Sequence, residues 1–318
     1  MLAARYHRPG TPDVLRLEEV PVPVPRRGQV LVRVRATSVN AGEIHLRSGR
    51  MRCATAGRRA IGVGMDLAGV VEAVGDGVTG VDTGQRVWGV LPARAALAPL
   101  GSAAELVVVD ADRLGTVPDV LDDPGAVALL GGGTTSLTAL FTHGRLQSGH
   151  RVLIRGAAGG VGYVAVQLAH AAGAHVTAVA RGSAAAAVGD LGADVVLDYR
   201  TPLPADLGPF DLVLDTVGGS GLGRFRRLVA PRGRMVTIAP TTPAAAAAVA
   251  ASAVHGSRRV RFFSGNPTSA DLAALSEHVH RGALRPVIAT TWPLARIADA
   301  HRAMEAGGVV GKHVVLVA

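Results

Sequence analysis

The stretch IRGAAGGVGYVAVQLAHAAGAHVTAVARG (residues 154–182) runs from an apolar segment through a glycine-rich turn to a helical segment and a second apolar run. It predicts a strand at 151–155 and a helix at about 160–173. The turn follows the pattern G-x-x-G-x-x-G, with Gly156, Gly159 and Gly162. Glycine lets the backbone approach a pyrophosphate, which then meets the free amides of the helix N-terminus. A tight turn that needs small residues for packing is the alternative, but the strand–turn–helix context favours a dinucleotide site.

Short apolar runs and helical segments continue to alternate after this turn. The pattern predicts an α/β domain with a doubly wound parallel sheet of the Rossmann type. The predicted strands are 151–155, 175–180, 194–198, 211–215, 233–239 and 259–263. The predicted helices are 160–173, 183–192, 220–230 and the alanine-rich 243–254.

The first part of the chain has a different pattern. Residues 29–39 alternate apolar and polar side chains, and 67–90 combine valine-rich runs with Asp-Gly and Thr-Gly turn signals. We therefore expect a β-rich domain at 1–122, a Rossmann domain at 123–263, and a tail at 264–318 that returns to the first domain. A cleft should lie between the two domains.

Composition narrows the function classes. The chain has 318 residues, a net charge of +9 and a sequence pI of about 11.1. The basic residues are scattered and stacking aromatics are few, which argues against nucleic-acid binding. The sequence has no run of 18 apolar residues and no signal-peptide pattern at its start, so we expect a cytoplasmic protein with no membrane segment. The single cysteine, Cys53, excludes a disulfide framework within the chain and is interpreted as a bystander rather than a nucleophile.

The end of the second Rossmann strand predicts the nucleotide. NAD sites place Asp or Glu there for the ribose hydroxyls. Here the strand ends VTAVARGS, with Arg181 and Ser183 and no carboxylate. An arginine can pair with a 2′-phosphate, so the sequence favours NADPH, although Arg181 could also be a solvated loop charge.

Several motifs together resemble the medium-chain dehydrogenase/reductase superfamily. They are VNAGEIHLRSG (39–49), GMDLAGVVEAVGDGV (64–78), the glycine turn, GALRPVI (282–288) and GKHVVL (311–316). The chain is most similar to the zinc-independent quinone oxidoreductase branch. The resemblance implies a GroES-like catalytic domain interrupted by the Rossmann domain. It also implies NADPH-dependent reduction of quinones, enones or enoyl thioesters.

The resemblance also implies roles for individual residues. Asn40 matches an asparagine near the nicotinamide ribose, Thr138 a threonine at the nicotinamide, and Tyr199 a tyrosine beside the 2′-phosphate. Gly159, Gly160 and Val161 match the pyrophosphate loop. Val217 would flank the cofactor, and Lys312 matches a C-terminal lysine sometimes found near it. For each residue, ordinary turn or packing chemistry is the alternative.

No metal site is predicted. Zinc enzymes of the superfamily carry a Cys near position 40 and a His-Glu pair near 65, where this chain has Asn40 and Met65-Asp66. The histidines show no ligand spacing that would replace them. Without a Lewis acid, hydride transfer to a quinone or to a C=C bond conjugated to a carbonyl is easier than reduction of a plain ketone. The negative charge that develops on oxygen then needs hydrogen-bond donors or a proton source.

The chain departs from its relatives near the expected substrate pocket. Glu43 replaces an aspartate, and His45 replaces a tyrosine that is a proposed proton donor in relatives. His45 is therefore the candidate proton donor, with a surface histidine as the alternative. The glycine-rich segment 129–137 replaces a proline-containing stretch, and we take this as a hint of a roomier or more mobile pocket.

Three points stay open in the sequence. The acceptor is predicted to be a small apolar molecule, but an enoyl thioester on an acidic carrier protein or coenzyme A would suit the basic surface. A non-catalytic NADPH sensor is a further alternative.

We also expect a homodimer formed through the edge strand at 259–263, because an unpaired hydrophobic edge needs protection.

Overall fold

The computed structural model describes residues 1–51, 57, 60–239, 242–254 and 259–317. Its strands are β1 (Leu2–Tyr6), β2 (Arg16–Glu19), β3 (Gln29–Ser38), β4 (Ile61–Gly62), β5 (Asp66–Val74), β6 (Arg86–Val90), β7 (Leu106–Asp110), β8 (Leu114–Thr116), β9 (Arg151–Arg155), β10 (His175–Ala180), β11 (Val195–Asp198), β12 (Phe210–Asp215), β13 (Val229–Thr237), β14 (Val260–Phe262), β15 (Ile288–Pro293) and β16 (Lys312–Leu316). Its α-helices are α1 (Ala41–Arg47), α2 (Asp123–Leu137), α3 (Gly162–Ala171), α4 (Ala185–Gly189), α5 (Leu222–Arg227), α6 (Pro243–Val254), α7 (Ser269–His280) and α8 (Ile297–Ala306). Cys53 lies outside the described residues.

The strands from β9 to β14 form one parallel sheet in the order β11-β10-β9-β12-β13-β14. Counted from β9, this is the order 3-2-1-4-5-6 of the Rossmann fold. The predicted doubly wound sheet is confirmed, and β9 and β10 have the predicted bounds. The order reverses between β9 and β12, so a ligand is expected beyond the carboxyl ends of these two strands.

The β-rich part forms two further sheets. One has the order β15-β16-β3-β5-β6-β8 with β7 paired to β3, and the other has the order β2-β1-β4. Strand β16 lies antiparallel to β3, with Val314 opposite Ser38. The last strands of the chain therefore complete a sheet that the first segment begins, although the exact domain boundaries stay a prediction.

Helix α2 joins the two halves and was not predicted. Its start is fixed locally, because the Asp122 carboxylate caps the helix by accepting from the Gly125 amide at 2.7 Å, with Pro124 in the first turn. It packs against α3 on one side and against β3, β5, β6 and β16 on the other. A π-helical turn, Thr138–His143, extends it. Burial of its apolar residues, rather than their intrinsic preference, makes this glycine- and threonine-rich segment helical.

Helix α2 with its π-helical extension, Asp123–His143, is long and apolar enough to cross a membrane by length and composition. Inside the protein, 72% of its most apolar window is buried. Residues from both large sheets share one hydrophobic cluster with it, including Trp88 and Ile154. Such burial is typical of the core helix of a soluble protein.

Other predicted bounds needed correction. The helix predicted at 183–192 is the shorter α4, and that predicted at 220–230 is α5. Strand β13 begins at Val229 rather than at 233. The differences are confined to element ends, where propensity alone discriminates poorly.

Candidate functional site

The turn after β9 is built so that its backbone is exposed to a ligand. Gly156 has φ 81°, and a Cβ there would lie 2.4 Å from Thr216 Oγ1. A Cβ on Gly162 would lie 2.1 Å from the Gly156 carbonyl oxygen. A Cβ on Gly159 would meet only that same oxygen, at 3.4 Å, so this part of the turn faces open space. Helix α3 begins at Gly162, and its free amides suit the pyrophosphate of a dinucleotide.

The loop after β12 supports the same turn. Asp215 is fully buried, and its Oδ1 accepts the Val217 and Gly218 amides at 3.0 Å each. Thr216 Oγ1 donates to the Arg155 carbonyl oxygen at 2.8 Å. The Val217 side chain is about half exposed and lies against the Gly156 position. The structure therefore brings Val217 to the glycine turn, and its predicted place beside the cofactor stays a prediction.

Two of the residues predicted for the 2′-phosphate lie together at the carboxyl ends of β10 and β11. Arg181 Nε lies 3.4 Å from the Tyr199 hydroxyl, and the Tyr199 side chain is exposed. Ser183 is exposed in the short turn that follows β10. The nearby Asp198 carboxylate is bound by Arg200 at 2.7 Å, and this contact lowers the pKa of Asp198 to about 2. Among the described residues, no carboxylate forms an ion pair with Arg181.

A buried polar cluster lies under the glycine turn, where β16 meets β3 and β5. Lys312 Nζ donates to Asn40 Oδ1 at 2.7 Å and to the Val39 carbonyl oxygen at 3.2 Å, and lies 3.4 Å from Asp66 Oδ2. Asn40 Nδ2 donates to Asp66 Oδ2 at 3.0 Å. Ser38 Oγ also donates to that carboxylate. The Lys312 stem packs against Gly160, where a Cβ would lie 2.6 Å from Lys312 Cδ. The structure therefore brings Asn40, Lys312 and the turn together.

Glu43 extends the cluster into the core. Its side chain is buried, and it accepts from the Gly64 amide at 2.8 Å and from Asn40 Nδ2 at 3.1 Å. Burial raises the pKa of Glu43 to about 7, and the nearby Asp66 adds to the increase. The two hydrogen bonds and Lys312 oppose it. At pH 7 this buried carboxyl group is therefore only partly ionised.

His45 and Thr138 are less closely connected to the cluster. His45 is on α1 and partly buried, and its Nδ1 has no hydrogen-bond partner in the described part of the chain. Burial and the charge of Arg50 lower the pKa of His45. Thr138 Oγ1 donates back to the Thr134 carbonyl oxygen at 3.0 Å, where α2 passes into the π-helical turn. The predicted roles of both residues stay predictions.

The glycine run at 131–133 of α2 serves close packing. A Cβ on Gly131 would lie 2.7 Å from Asp66 Oδ1, and one on Gly132 would lie 2.0 Å from the Gly160 carbonyl oxygen. A Cβ on Gly133 would meet the Leu275 side chain at 2.6 Å. Space around this glycine run is filled by three different parts of the protein, so the glycines do not widen a pocket at these positions.

The donor set does not suit zinc. Among the described residues, no group of three His, Cys, Asp or Glu side chains could hold a metal ion. At the positions used by zinc enzymes, Asn40 supplies an amide, and Asp66 is already bound by Lys312, Asn40 and Ser38. Zinc independence stays a prediction that this chemistry supports.

Sequence reasoning missed Asp66 as a site residue, and also Asp215, Thr216 and Gly131. Asp66 was noted only as the replacement for a zinc-enzyme residue. No local pattern marks an aspartate that pairs with a lysine 246 residues away. The Asp-Thr pair at the end of β12 was detectable, because polar residues at the carboxyl end of a parallel strand border the ligand site.

Comparison with known proteins identifies the family. Residues 26–119 match the model of the alcohol dehydrogenase GroES-like domain, and residues 191–315 match a model described as zinc-binding dehydrogenase. A 2-haloacrylate reductase from Burkholderia sp. is 31% identical, over 99% of this chain and 99% of its own length.

Two solved structures have the same fold. A quinone oxidoreductase from Coxiella burnetii has a TM-score of 0.91 at 29% identity, covering 100% of this chain and 99% of its own. A mycobacterial protein in complex with NADPH has a TM-score of 0.83 at 26% identity, covering 100% of both chains. With its GroES-like domain, its Rossmann sheet and these relatives, the chain belongs to the medium-chain dehydrogenase/reductase superfamily as a quinone oxidoreductase-like oxidoreductase.

Proposed function

We propose that the protein is a zinc-independent, NADPH-dependent oxidoreductase that reduces a quinone or a conjugated C=C bond. The observation that carries the proposal is the adenosine end of the site. Arg181 and Tyr199 lie together beyond a glycine turn that fits a pyrophosphate, and the neighbouring Asp198 is neutralised by Arg200. An arginine and a hydroxyl at this place suit a 2′-phosphate, which distinguishes NADPH from NADH.

The other end of the site favours an acceptor that is already electrophilic. Bound NADPH would supply a hydride, and the glycine turn together with Asn40 would hold the cofactor. At the sequence positions used by zinc enzymes the chain has Asn40 and Asp66, and Asp66 is already bound by Lys312. We therefore expect the acceptor carbonyl to be activated by its own conjugation. The names of the relatives agree with this chemistry, since one is a 2-haloacrylate reductase and another a quinone oxidoreductase.

A proton must reach the reduced acceptor. His45 is our candidate donor, because it stands on α1, which begins directly after the Asn40 cluster, and its Nδ1 has no partner in the described part of the chain. Its lowered pKa means that most of the imidazole is neutral at pH 7, so proton donation would be faster in mildly acidic solution.

The test is NADPH oxidation with a benzoquinone, a naphthoquinone, an alkyl enone and a crotonyl thioester as acceptors, and with NADH as the control cofactor. We expect turnover of at least one acceptor with a preference for NADPH. Turnover of the thioester alone would favour the carrier-bound alternative. Tight NADPH binding without turnover of any acceptor would contradict the proposal and support a sensor.

We further propose that the protein is a homodimer formed through β14. This strand is at the edge of the Rossmann sheet, and its Phe262 is 46% exposed. An exposed aromatic residue on a free sheet edge favours pairing with a second copy. A register that pairs Arg261 of one copy directly with Arg261 of the other is disfavoured, because the two positive charges would repel each other.

A further inference from the structure

Asp66 is a deeply buried charged group near the proposed cofactor site. It is 1% exposed, and its Oδ2 receives Ser38 Oγ, Asn40 Nδ2 and, at 3.4 Å, Lys312 Nζ. Of these partners, Ser38 and Lys312 are themselves buried. Even a well-paired buried carboxylate and ammonium contribute little net stability, so this arrangement needs an explanation beyond stability.

The contacts fix the orientation of Asn40. Its Nδ2 points at two carboxylates, those of Asp66 and Glu43, and its Oδ1 accepts from Lys312. The reverse orientation would place amide hydrogens against an ammonium, which only donates. Oδ1 keeps one lone pair, and Asn40 is only partly buried, so a fixed acceptor is presented beside the glycine turn.

Lys312 connects the cluster to the glycine turn, because its ammonium binds inside the cluster and its stem supports the turn. Its three hydrogen-bond directions point to Val39, Asn40 and Asp66, all of them protein groups. The methylene stem lies against Gly160. Asp66 therefore holds both the amide of Asn40 and the side chain that supports the turn.

Helix α2 leaves the room that this carboxylate needs. A Cβ on Gly131 would lie 2.7 Å from Asp66 Oδ1 and 3.2 Å from Oδ2. Any larger residue at 131 would push the carboxylate away from Asn40 without removing a polar group. A substitution of Gly131 would therefore displace the Asp66 carboxylate while all of the hydrogen-bonding partners of Asp66 remain in the protein.

We propose that Asp66 is a positioning residue for the nicotinamide half of the cofactor, acting through Asn40 and Lys312, with Gly131 leaving space for its carboxylate. The proposal rests on the proposed NADPH-dependent function. The adenosine half is bordered by Arg181 and Tyr199, which follow β10 and β11, and Asp66 has no role there.

The test measures binding rather than turnover, by calorimetry with two probes. NADPH fills the whole site, and adenosine 2′,5′-bisphosphate fills only its adenosine half. We expect Asp66→Asn and Gly131→Ala to weaken NADPH about tenfold, the equivalent of one lost hydrogen bond, and to leave the bisphosphate unchanged. Gly133→Ala is the matched control, because it adds the same methyl group to the same helix against Leu275, and it should bind both probes like the wild type.

The outcomes separate the two claims. Unchanged NADPH affinity in both variants, or a parallel loss of both probes, would overturn the positioning role. Thermal unfolding is measured on every variant. Loss of the fold in both Asp66→Asn and Gly131→Ala would show a structural role instead and would also overturn it. If the wild type binds neither probe, the proposed function itself is wrong and this inference falls with it.

Discussion

The buried carboxyl group of Glu43 gives a sharp prediction about stability and pH. Burial raises its pKa from 4.5 to about 7. Between these values the folded protein keeps a proton that the unfolded chain releases, so stability falls as pH rises through this window. Glu43→Gln cannot ionise and removes this dependence. The stability of the variant relative to the wild type should therefore increase with pH.

The magnitude follows from the change in pKa. Integrated over the window, the stability of Glu43→Gln relative to the wild type should rise by roughly 2.5 kcal/mol between pH 5 and pH 8. The glutamine NH2 group must also face a donor, either Asn40 Nδ2 or the Gly64 amide, and this cost lowers the stability of the variant at every pH. Because this cost does not depend on pH, it shifts the whole curve of relative stability against pH and leaves the slope of that curve unchanged.

The assay is urea unfolding of both proteins, followed by circular dichroism at pH 5, 6, 7 and 8. Glu72→Gln is the control, since its exposed carboxylate pairs with Arg33, which lowers its pKa. That group is ionised in both states over the whole range, so the control should track the wild type. A difference between Glu43→Gln and wild type that stays constant with pH would refute the reasoning.

Three further predictions concern the cofactor, the proton and the assembly. Arg181→Ala should reduce the ratio of kcat/KM for NADPH to that for NADH by about ten- to a hundredfold, the value of a charge-assisted hydrogen bond, and an unchanged ratio would mean that Arg181 is a solvated charge. If His45 donates the proton, kcat of the wild type falls as pH rises above the lowered pKa of His45, which lies below 6.5. The variant His45→Ala should lose about a hundredfold in kcat or more while it still binds NADPH. A pH profile shared by both proteins would exclude that role. Phe262→Asp should convert the dimer to a monomer in light scattering, whereas a monomeric wild type would remove the basis for pairing through β14.

Much of the fold follows from local sequence patterns. The bounds of β9 and β10 were predicted correctly because continuous apolar runs between turn signals have few alternatives in a buried parallel sheet. The glycine turn was equally local, since Gly156 needs a positive φ and Gly162 a close backbone approach. Arg181 was predicted from its place after the second Rossmann strand and Tyr199 from the family resemblance, and the structure brings their side chains together.

The centre of the site could be decided only by the tertiary structure. Asp66 and Lys312 are 246 residues apart, and they meet because β16 returns beside β3, which in turn pairs with β5. The glycines at 131–133 suggested a loose pocket in sequence, yet each lies where another part of the protein fills the space of a side chain. The pKa of Glu43 depends on burial and on charges from distant segments. Local pattern thus determined the strands and the nucleotide turn, because these depend on neighbouring residues. Only long-range packing determined which polar groups share the low-dielectric interior beneath them.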